Sequence, residues 1–555
     1  MIEQNFVKLF EQSFKENWSL PIFTNYEEAK TYSMADIAKW VAKMHLLLHE
    51  IGVEQEDKVA LIANDSAEWC MTWVGIVSYG AVVVPILPAF HGDDIRNIIK
   101  HSESKYVFVG KEHQKFIIPE ETPDVLCALE IETLNPLTDL TPESRFHTLD
   151  AQALFQNRYP GGYTREDVSL PEISNDRLAL ISYTSGTSGF SKGVMTTANN
   201  LAANMTFAIT KNIVQHGKPM LSFLPNAHAY SCAFNFLLPL IVGAHVYILR
   251  SKPTPTVLLK AFKDVRPHVI LTVPLVLEKI YKNVIAPKIK SKGVKMALSV
   301  PGVSNMVYKK IRNSLIDAMG GAVEEVIIGG APLNDVVAHF LTKAKFPYTV
   351  GYGMTECAPL VTYSIHEKFV PGSCGQVLDM IEELRIHEPK DVDGYQVGEV
   401  QIRGENVCKG YYREAKLTEE LFTADGWMRT GDLGYLDKRK NLFLRGRSKA
   451  MILGSSGQNI YPEEIEAKIA MLPYMSESLV VHRNGNKIVA IVTLDEAALR
   501  KDGIQGDEAI RKILEENRQK LNQNIASFAA VSEFELLDGE FEKTPKQSIK
   551  RYLYK

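Results

Sequence analysis

Two hydrophobic rhythms alternate along the chain. Residues 58–63, 106–109, 178–183, 246–249, 269–273 and 326–328 are short apolar runs rich in Val, Ile and Leu. Runs of that length and composition are expected of strands buried on both faces. Between them, residues 34–51, 93–101 and 333–344 repeat their apolar positions every three to four residues, the period of a helix with one buried face. Buried strands separated by helices predict parallel sheets covered on both sides. The last hundred residues change character. Residues 463–470 and 508–522 read as charged amphipathic helices, and 478–481 and 487–494 as strands. The expected fold class is therefore α/β: a large N-terminal domain of mixed, largely parallel sheets flanked by helices, followed by a small α+β C-terminal domain. The charged stretch 437–449, DKRKNLFLRGRSK, is the expected boundary.

Two uncharged stretches, 70–90 and 227–249, reach the roughly 20 residues that cross a bilayer. Gly80, Pro85 and Pro88 interrupt the first, Pro239 and Gly243 the second. Each reads better as a buried helix, a glycine turn and a buried strand. The chain is 555 residues long, so two or three domains are expected. Its 62 basic and 66 acidic residues give a net charge of −4, without the basic excess of a dedicated nucleic-acid binder. The six cysteines show neither a C-x-x-C pair nor zinc spacing, which points to a reducing, cytoplasmic setting.

The densest chemical signal is YTSGTSGFSKGV, residues 183–194, directly after an expected strand. Three glycines let backbone N–H groups approach a ligand closely. Thr184, Ser185, Thr187, Ser188 and Ser191 offer hydroxyls, and Lys192 an ammonium, to anionic oxygens. The spacing is not that of a Walker loop, because Lys192 stands between Ser191 and Gly193.

With this loop the chain resembles the adenylate-forming superfamily of acyl-CoA synthetases, adenylation domains and luciferases. Further matches follow in that family's order: LPNAH at 224–228, GGAPL at 329–333, GYGMTE at 351–356, TGD at 430–432, GRSK at 446–449 and GQNIYPEEIE at 457–466. The resemblance covers about residues 32–551. It implies an N-terminal domain over residues 1–446, a hinge at 447–449 and a mobile C-terminal domain over 450–555.

The resemblance also implies roles. Thr184, Ser185, Gly186, Thr187, Ser188, Gly189 and Lys192 would cradle the phosphates of ATP. Gly330 and Ala331 would line the adenine side, joined by Tyr352 and Gly353. Tyr352 offers a flat face to adenine, or else is a core tyrosine. Thr355 would donate to the α-phosphate, and Glu356 would supply a hard oxygen ligand to Mg²⁺. Asp432 would accept from the ribose diol and Arg447 would hold the ribose, unless they are a simple turn and a strand-end charge. His228 would line the acyl site, although a lone histidine beside an apolar run is commonly a core residue. Lys449 would be the pivot, and Gly457 would lie on the coenzyme A side. The implied reaction is attack of a carboxylate on the α-phosphate of ATP, followed by transfer of the acyl group to a thiol.

The sequence departs from the family at its end. The expected P-K-T-x-x-G-K-I-x-R pattern reads KTPKQSIKR at 543–551, which puts Ser548 where a catalytic lysine is expected. Lys546 and Lys550 flank it. On an extended strand, residues two apart share a face, so either could serve. PLVLEKIY at 274–281 is similar to long-chain fatty acyl-CoA synthetases. The expected enzyme is a long-chain fatty acid–CoA ligase using ATP, Mg²⁺ and coenzyme A. The alternatives are a fatty acyl-AMP ligase serving a carrier protein and a nucleotide-binding scaffold with impaired chemistry. Finally, Lys279–Arg312 holds nine basic residues and no acidic one. Such a segment attracts anionic membrane or nucleotide phosphates, or forms a solvated helical face.

Overall fold

The computed structural model describes residues 2–185, 191–300, 302–392, 394–453, 459–483, 487–526, 529–544 and 548–554. Two largely parallel sheets organise the first 350 residues. The six-stranded sheet runs in the order Cys127–Glu130, Tyr106–Val109, Lys58–Ile62, Val82–Pro85, Leu178–Ser185, Ser191–Thr197. Only its last pair is antiparallel. The seven-stranded sheet runs Tyr348–Val350, Glu325–Ile328, Val269–Thr272, Pro219–Ser222, His245–Ile248, Pro21–Asn25, Lys30–Ser33, and again only the final pair is antiparallel. The strand regions expected from the apolar runs are all present, to within a residue or two at each end.

The two bilayer-length stretches resolve as expected. Helix Ala67–Tyr79 starts where the Ser66 side chain accepts from the Trp69 N–H. Twelve of its thirteen residues are buried, which explains its uniform hydrophobicity. It ends at Gly80, whose φ of 99° is open to glycine at no steric cost, and strand Val82–Pro85 follows. In the second stretch, the Leu238–Val242 helix ends at Gly243 before strand His245–Ile248. Upstream of it, Cys232–Leu237 widens into a π-helical turn. Pro239 has no N–H to return to the preceding turn, which favours the looser winding. Among the described residues, no helix is long and apolar enough to cross a membrane.

Parallel strands align their carboxyl ends, and loops there form a crevice. Strand Leu178–Ser185 leads into residues 186–190, and Pro219–Ser222 leads into 224–228. Glu325–Ile328 leads into Gly329-Gly330, and Tyr348–Val350 leads into Gly351-Tyr352. The segments at 224–228, 329–333 and 351–356 therefore follow the carboxyl ends of parallel strands, whereas 430–432 and 446–447 lie on strands of another sheet.

The sequence reading missed a four-stranded antiparallel sheet of Glu382–Val392, Tyr395–Gly404, Met428–Leu436 and Leu442–Arg447. The last of these strands lies inside the charged stretch taken as a boundary. Past a short turn at Ser448–Ala450, the buried residues from Ile452 to Phe534 form a core of their own. It is built on strands Met475–Arg483, Lys487–Leu494 and Glu533–Leu536 and on helices Pro462–Ile469 and Asp507–Asn522.

Candidate active site

Strands Leu178–Ser185 and Ser191–Thr197 form a hairpin in which Thr184 pairs with Lys192. Gly186, Thr187, Ser188 and Gly189 make its connection and lie outside the described residues. Gly193 is required by packing: a Cβ there would fall 2.8 Å from a methyl of Ile181. A third segment, residues 409–412, lies along the outer edge of this hairpin. The Tyr412 N–H donates to the Gly193 carbonyl at 2.7 Å, and the Met195 N–H donates to Gly410 at 2.9 Å.

That edge pairing brings Tyr411 next to Lys192. The Lys192 ammonium stands 4.9 Å from the centre of the Tyr411 ring, a cation–π contact. The Tyr411 hydroxyl donates to Glu356 Oε1 at 2.9 Å. The Cys408 N–H binds the Glu356 carbonyl at 2.8 Å, a second tie between the two segments. Burial and the Glu356 carboxylate push the Tyr411 hydroxyl far above its ordinary pKa, so it remains a donor. A lysine, a tyrosine and a glutamate thus form one continuous chain. Tyr411 was not singled out in the sequence. Its segment, KGYY, has no dense run of glycine and hydroxyl residues, and its partner Glu356 is 55 positions away.

Thr355 and Glu356 occupy a single 3₁₀ turn, Thr355–Cys357. Thr355 lines a small cavity together with Leu180, Ser182, Thr196 and Ala229. This joins the expected α-phosphate donor to the strands of the hairpin and to the helical turn that follows His228. His228 itself caps that turn, and its N–H donates to the Pro225 carbonyl at 3.0 Å. Nearby, the Tyr230 hydroxyl donates to the Ile327 carbonyl at 3.1 Å. Its ring packs on Gly329, where a Cβ would come within 3.2 Å. Gly330, at φ 87°, and the exposed Ala331 follow.

A second polar chain lies on the neighbouring elements. Asp432 and Arg447 face each other on adjacent antiparallel strands, and Arg447 Nε reaches Asp432 Oδ1 at 2.8 Å. The other carboxylate oxygen accepts from the Tyr352 hydroxyl. Tyr352 is buried and Gly353 is exposed. Burial pushes the Asp432 carboxyl above the usual carboxylate range, while the Arg447 cation and the Tyr352 hydroxyl oppose that shift. The ribose candidates and the adenine-side candidate are therefore one hydrogen-bonded unit. Both Asp432 oxygens already have a protein donor, and each retains a further lone pair that a ribose hydroxyl could use.

The C-terminal core reaches the same place. The Glu463 carboxylate sits against Gly446 and adds negative charge beside Asp432 and Arg447. Arg445 pairs with Glu464 at 3.2 Å, and the Asn334 side chain donates to the Ala467 carbonyl at 2.6 Å. Lys449 falls in the turn Ser448–Ala450. Gly457 and Lys546 lie outside the described residues.

The described residues on either side of 545–547 pair with each other. The Thr544 N–H donates to the Ser548 carbonyl at 2.8 Å, Lys543 bridges Ile549, and the Lys550 N–H donates to the Glu542 carbonyl at 2.9 Å. Residues 542–544 and 548–550 therefore pair antiparallel with each other. Lys550 pairs with Glu542 at 3.3 Å, Lys543 with Glu477 at 2.8 Å, and Arg551 with Glu466.

Among the described residues, no group of three or more His, Cys, Asp or Glu side chains could hold a metal alone. Glu356 offers one carboxylate. That suits Mg²⁺, which is commonly bound through one or two carboxylates plus substrate phosphates rather than by an all-protein cage.

A profile of the AMP-binding enzymes matches residues 10–412. Among curated proteins, the long-chain-fatty-acid–CoA ligase heimdall of Drosophila melanogaster is 26% identical over 534 residues, covering 91% of this chain and 76% of its own. The 4-coumarate–CoA ligase 2 of Nicotiana tabacum is also 26% identical, over 85% of this chain and 80% of its own. Among solved structures, ATP-bound MatB from Rhodopseudomonas palustris superposes with a TM-score of 0.76 at 22% identity, covering 99% of this chain and 98% of that one. The fold, the ordered loops and the profile agree, and the chain belongs to the AMP-binding enzyme family.

Proposed function

We propose that this protein activates a long-chain fatty acid with ATP and passes the acyl group to coenzyme A. The observation that carries the reading is the proximity of two polar chains, Lys192–Tyr411–Glu356 and Tyr352–Asp432–Arg447, close enough that the Glu356 charge acts on both Asp432 and Arg447. The acyl chain is the finer part of the proposal. It rests on relatives such as heimdall, and the 4-coumarate ligase is equally similar in identity.

The chemistry demands that two anions meet. A fatty carboxylate attacks the α-phosphorus of ATP, the bond to the β-phosphate oxygen breaks, and pyrophosphate leaves. Lys192 and the hydroxyl loop neutralise charge on the phosphates, and Thr355 donates to the α-phosphate. Mg²⁺ held by Glu356 and nucleotide phosphates would supply further neutralisation. Tyr411 fixes the orientation of Glu356 and the position of Lys192. Asp432 and Arg447 hold the ribose. A thiolate of coenzyme A then attacks the acyl carbonyl and AMP leaves, with residues 447–449 serving as the pivot between the two half-reactions and Gly457 on the coenzyme A side.

The test is AMP release measured over fatty acids of graded length, with 4-coumarate as a competitor and coenzyme A as acceptor. The expected outcome is a maximum of kcat/KM among long chains. A maximum at 4-coumarate or at short acids would overturn the substrate, and release only with a carrier-protein thiol would overturn the acceptor.

A further inference from the structure

The basic segment singled out in the sequence plays no part in the site, yet its shape is specific. Helices Lys292–Leu298 and Val303–Ala318 pack against each other across a short corner. Around that corner lie the two most exposed methionines among the described residues: Met296 is 71% exposed and Met306 73%, with Val300 at 45% and Val303 at 41%. Exposures above 70% mark side chains that project from the surface, not lips of a groove. Each helix contributes one face, since residues 303 and 306 are three apart and share a side of their helix. The same face continues to Lys310, and Lys309 borders it. Both lysines are exposed.

The corner is thus an apolar tip with cations one to two turns behind it. The segment 279–312 contains nine basic residues and no acidic one. Lys282 does not contribute, because it turns to the Met475 carbonyl at 2.9 Å and toward Asp495. Exposed methionine and valine are unfavourable in water and favourable at the boundary between headgroups and acyl chains. Lysines behind such a tip lie at the depth of lipid phosphates, their apolar stems covering the transition. An acidic protein partner would match the charge, but a projecting tip gives it no pocket to fill.

We propose that the corner between these two helices docks on an anionic lipid bilayer, its apolar side chains entering the headgroup region and Lys309 and Lys310 facing lipid phosphates. The proposal does not depend on the acyl substrate.

The experiment is co-sedimentation of the whole protein with unilamellar vesicles, without ATP, acid or coenzyme A. One set contains equal phosphatidylcholine and phosphatidylglycerol, the other phosphatidylcholine alone. The protein is expected to bind the anionic vesicles and to bind the neutral ones more weakly. Lys309→Gln with Lys310→Gln should weaken anionic-vesicle binding about 25-fold, taking about fivefold per lysine near a charged surface. Met296→Ser with Met306→Ser should weaken binding to both vesicle types by roughly tenfold or more. All four side chains are exposed, so thermal midpoints should not move. Lys501→Gln, at the exposed end of helix Glu496–Lys501 in the C-terminal unit, should bind like the unaltered chain. The proposal fails if the unaltered protein ignores anionic vesicles at low salt, or if both double variants bind as it does. It also fails if the double variants instead abolish self-association or binding of an acidic carrier protein while vesicles are never bound.

Discussion

Lys192 is expected at the phosphates of ATP and Lys550 is one of the two lysines expected to serve from the tail, and the fold holds them in opposite ways. Lys192 is fixed by a strand pair, an edge segment and the ring of Tyr411. Lys550 sits at the base of a small hairpin, paired with Glu542 of that same hairpin. Its side chain is 31% exposed and that of Glu542 65%. An exposed pair of this kind contributes only about 0–1 kcal/mol, so releasing it for another partner is cheap. The N-terminal site has its charges in place before substrate arrives, whereas the tail holds its charge on a partner it can exchange. A division of that kind suits a site served by a movable domain, because an exchangeable cation can leave after the first half-reaction without breaking the nucleotide site.

The largest expected effect strikes the prearranged half. Glu356→Gln keeps the side chain's shape and can still accept from Tyr411, but it removes the carboxylate proposed to hold Mg²⁺. Fatty acid-dependent pyrophosphate exchange should fall about 10²–10³-fold, the scale of losing one electrostatic stabiliser in a site of this type. The thermal midpoint should hardly move. Exchange within a few-fold of normal at ordinary Mg²⁺ would exclude Glu356 from the reaction.

The exchangeable half should answer differently. Lys546→Ala and Lys550→Ala are predicted to be lopsided. One should lose adenylation by about 10²-fold yet still transfer the acyl group when supplied with acyl-AMP. The other should lose little. If neither variant nor the double variant slows adenylation, the tail carries no catalytic lysine, and Lys192 is the only lysine named here that can supply the charge. Loss of both half-reactions together would break the comparison, because the tail would then be structural.

The same contrast runs through what the sequence made legible. The parallel strands were readable because burial on both faces leaves no polar position to interrupt them: Lys58–Ile62, Tyr106–Val109 and Val269–Thr272 are almost wholly buried. Their loops were readable because phosphate chemistry demands glycine and hydroxyl residues at close spacing. The antiparallel sheet from Glu382 to Arg447 was not. Glu382–Val392 is half-buried from Leu384 to His387 and exposed on both faces from Glu388 to Asp391, and its charges (Arg385, His387, Glu388, Lys390, Asp391) leave no alternation to read. Yet this sheet supplies Asp432 and Arg447. The Tyr352–Asp432 bond joins residues 80 positions apart, and no local pattern could announce it. The pairing at the tail is also not announced by any local pattern. The Thr544 N–H donates to the Ser548 carbonyl, and the Ser548 N–H donates back to the Thr544 hydroxyl at 3.3 Å.

The smallest expected effect tests the residue the sequence did not announce. Tyr411→Phe keeps the ring under Lys192 but deletes the donor to Glu356. A hydrogen bond to a charged group contributes about 1.5–3 kcal/mol, so adenylation should fall by roughly tenfold or somewhat more. Because Tyr411 acts through Glu356, the loss should appear as a raised Mg²⁺ requirement, with the rate partly recovered at high Mg²⁺. A residue needed only for packing would lower the thermal midpoint and leave the Mg²⁺ dependence alone. Tyr411→Leu removes the ring as well, so it should weaken the hold on Lys192 and raise KM for ATP beyond the phenylalanine variant. In Glu356→Gln the added Tyr411→Phe change should cost much less than in the unaltered enzyme, since its target carboxylate is already gone. Full additivity of the two substitutions would mean that the 2.9 Å contact between them does not transmit the effect.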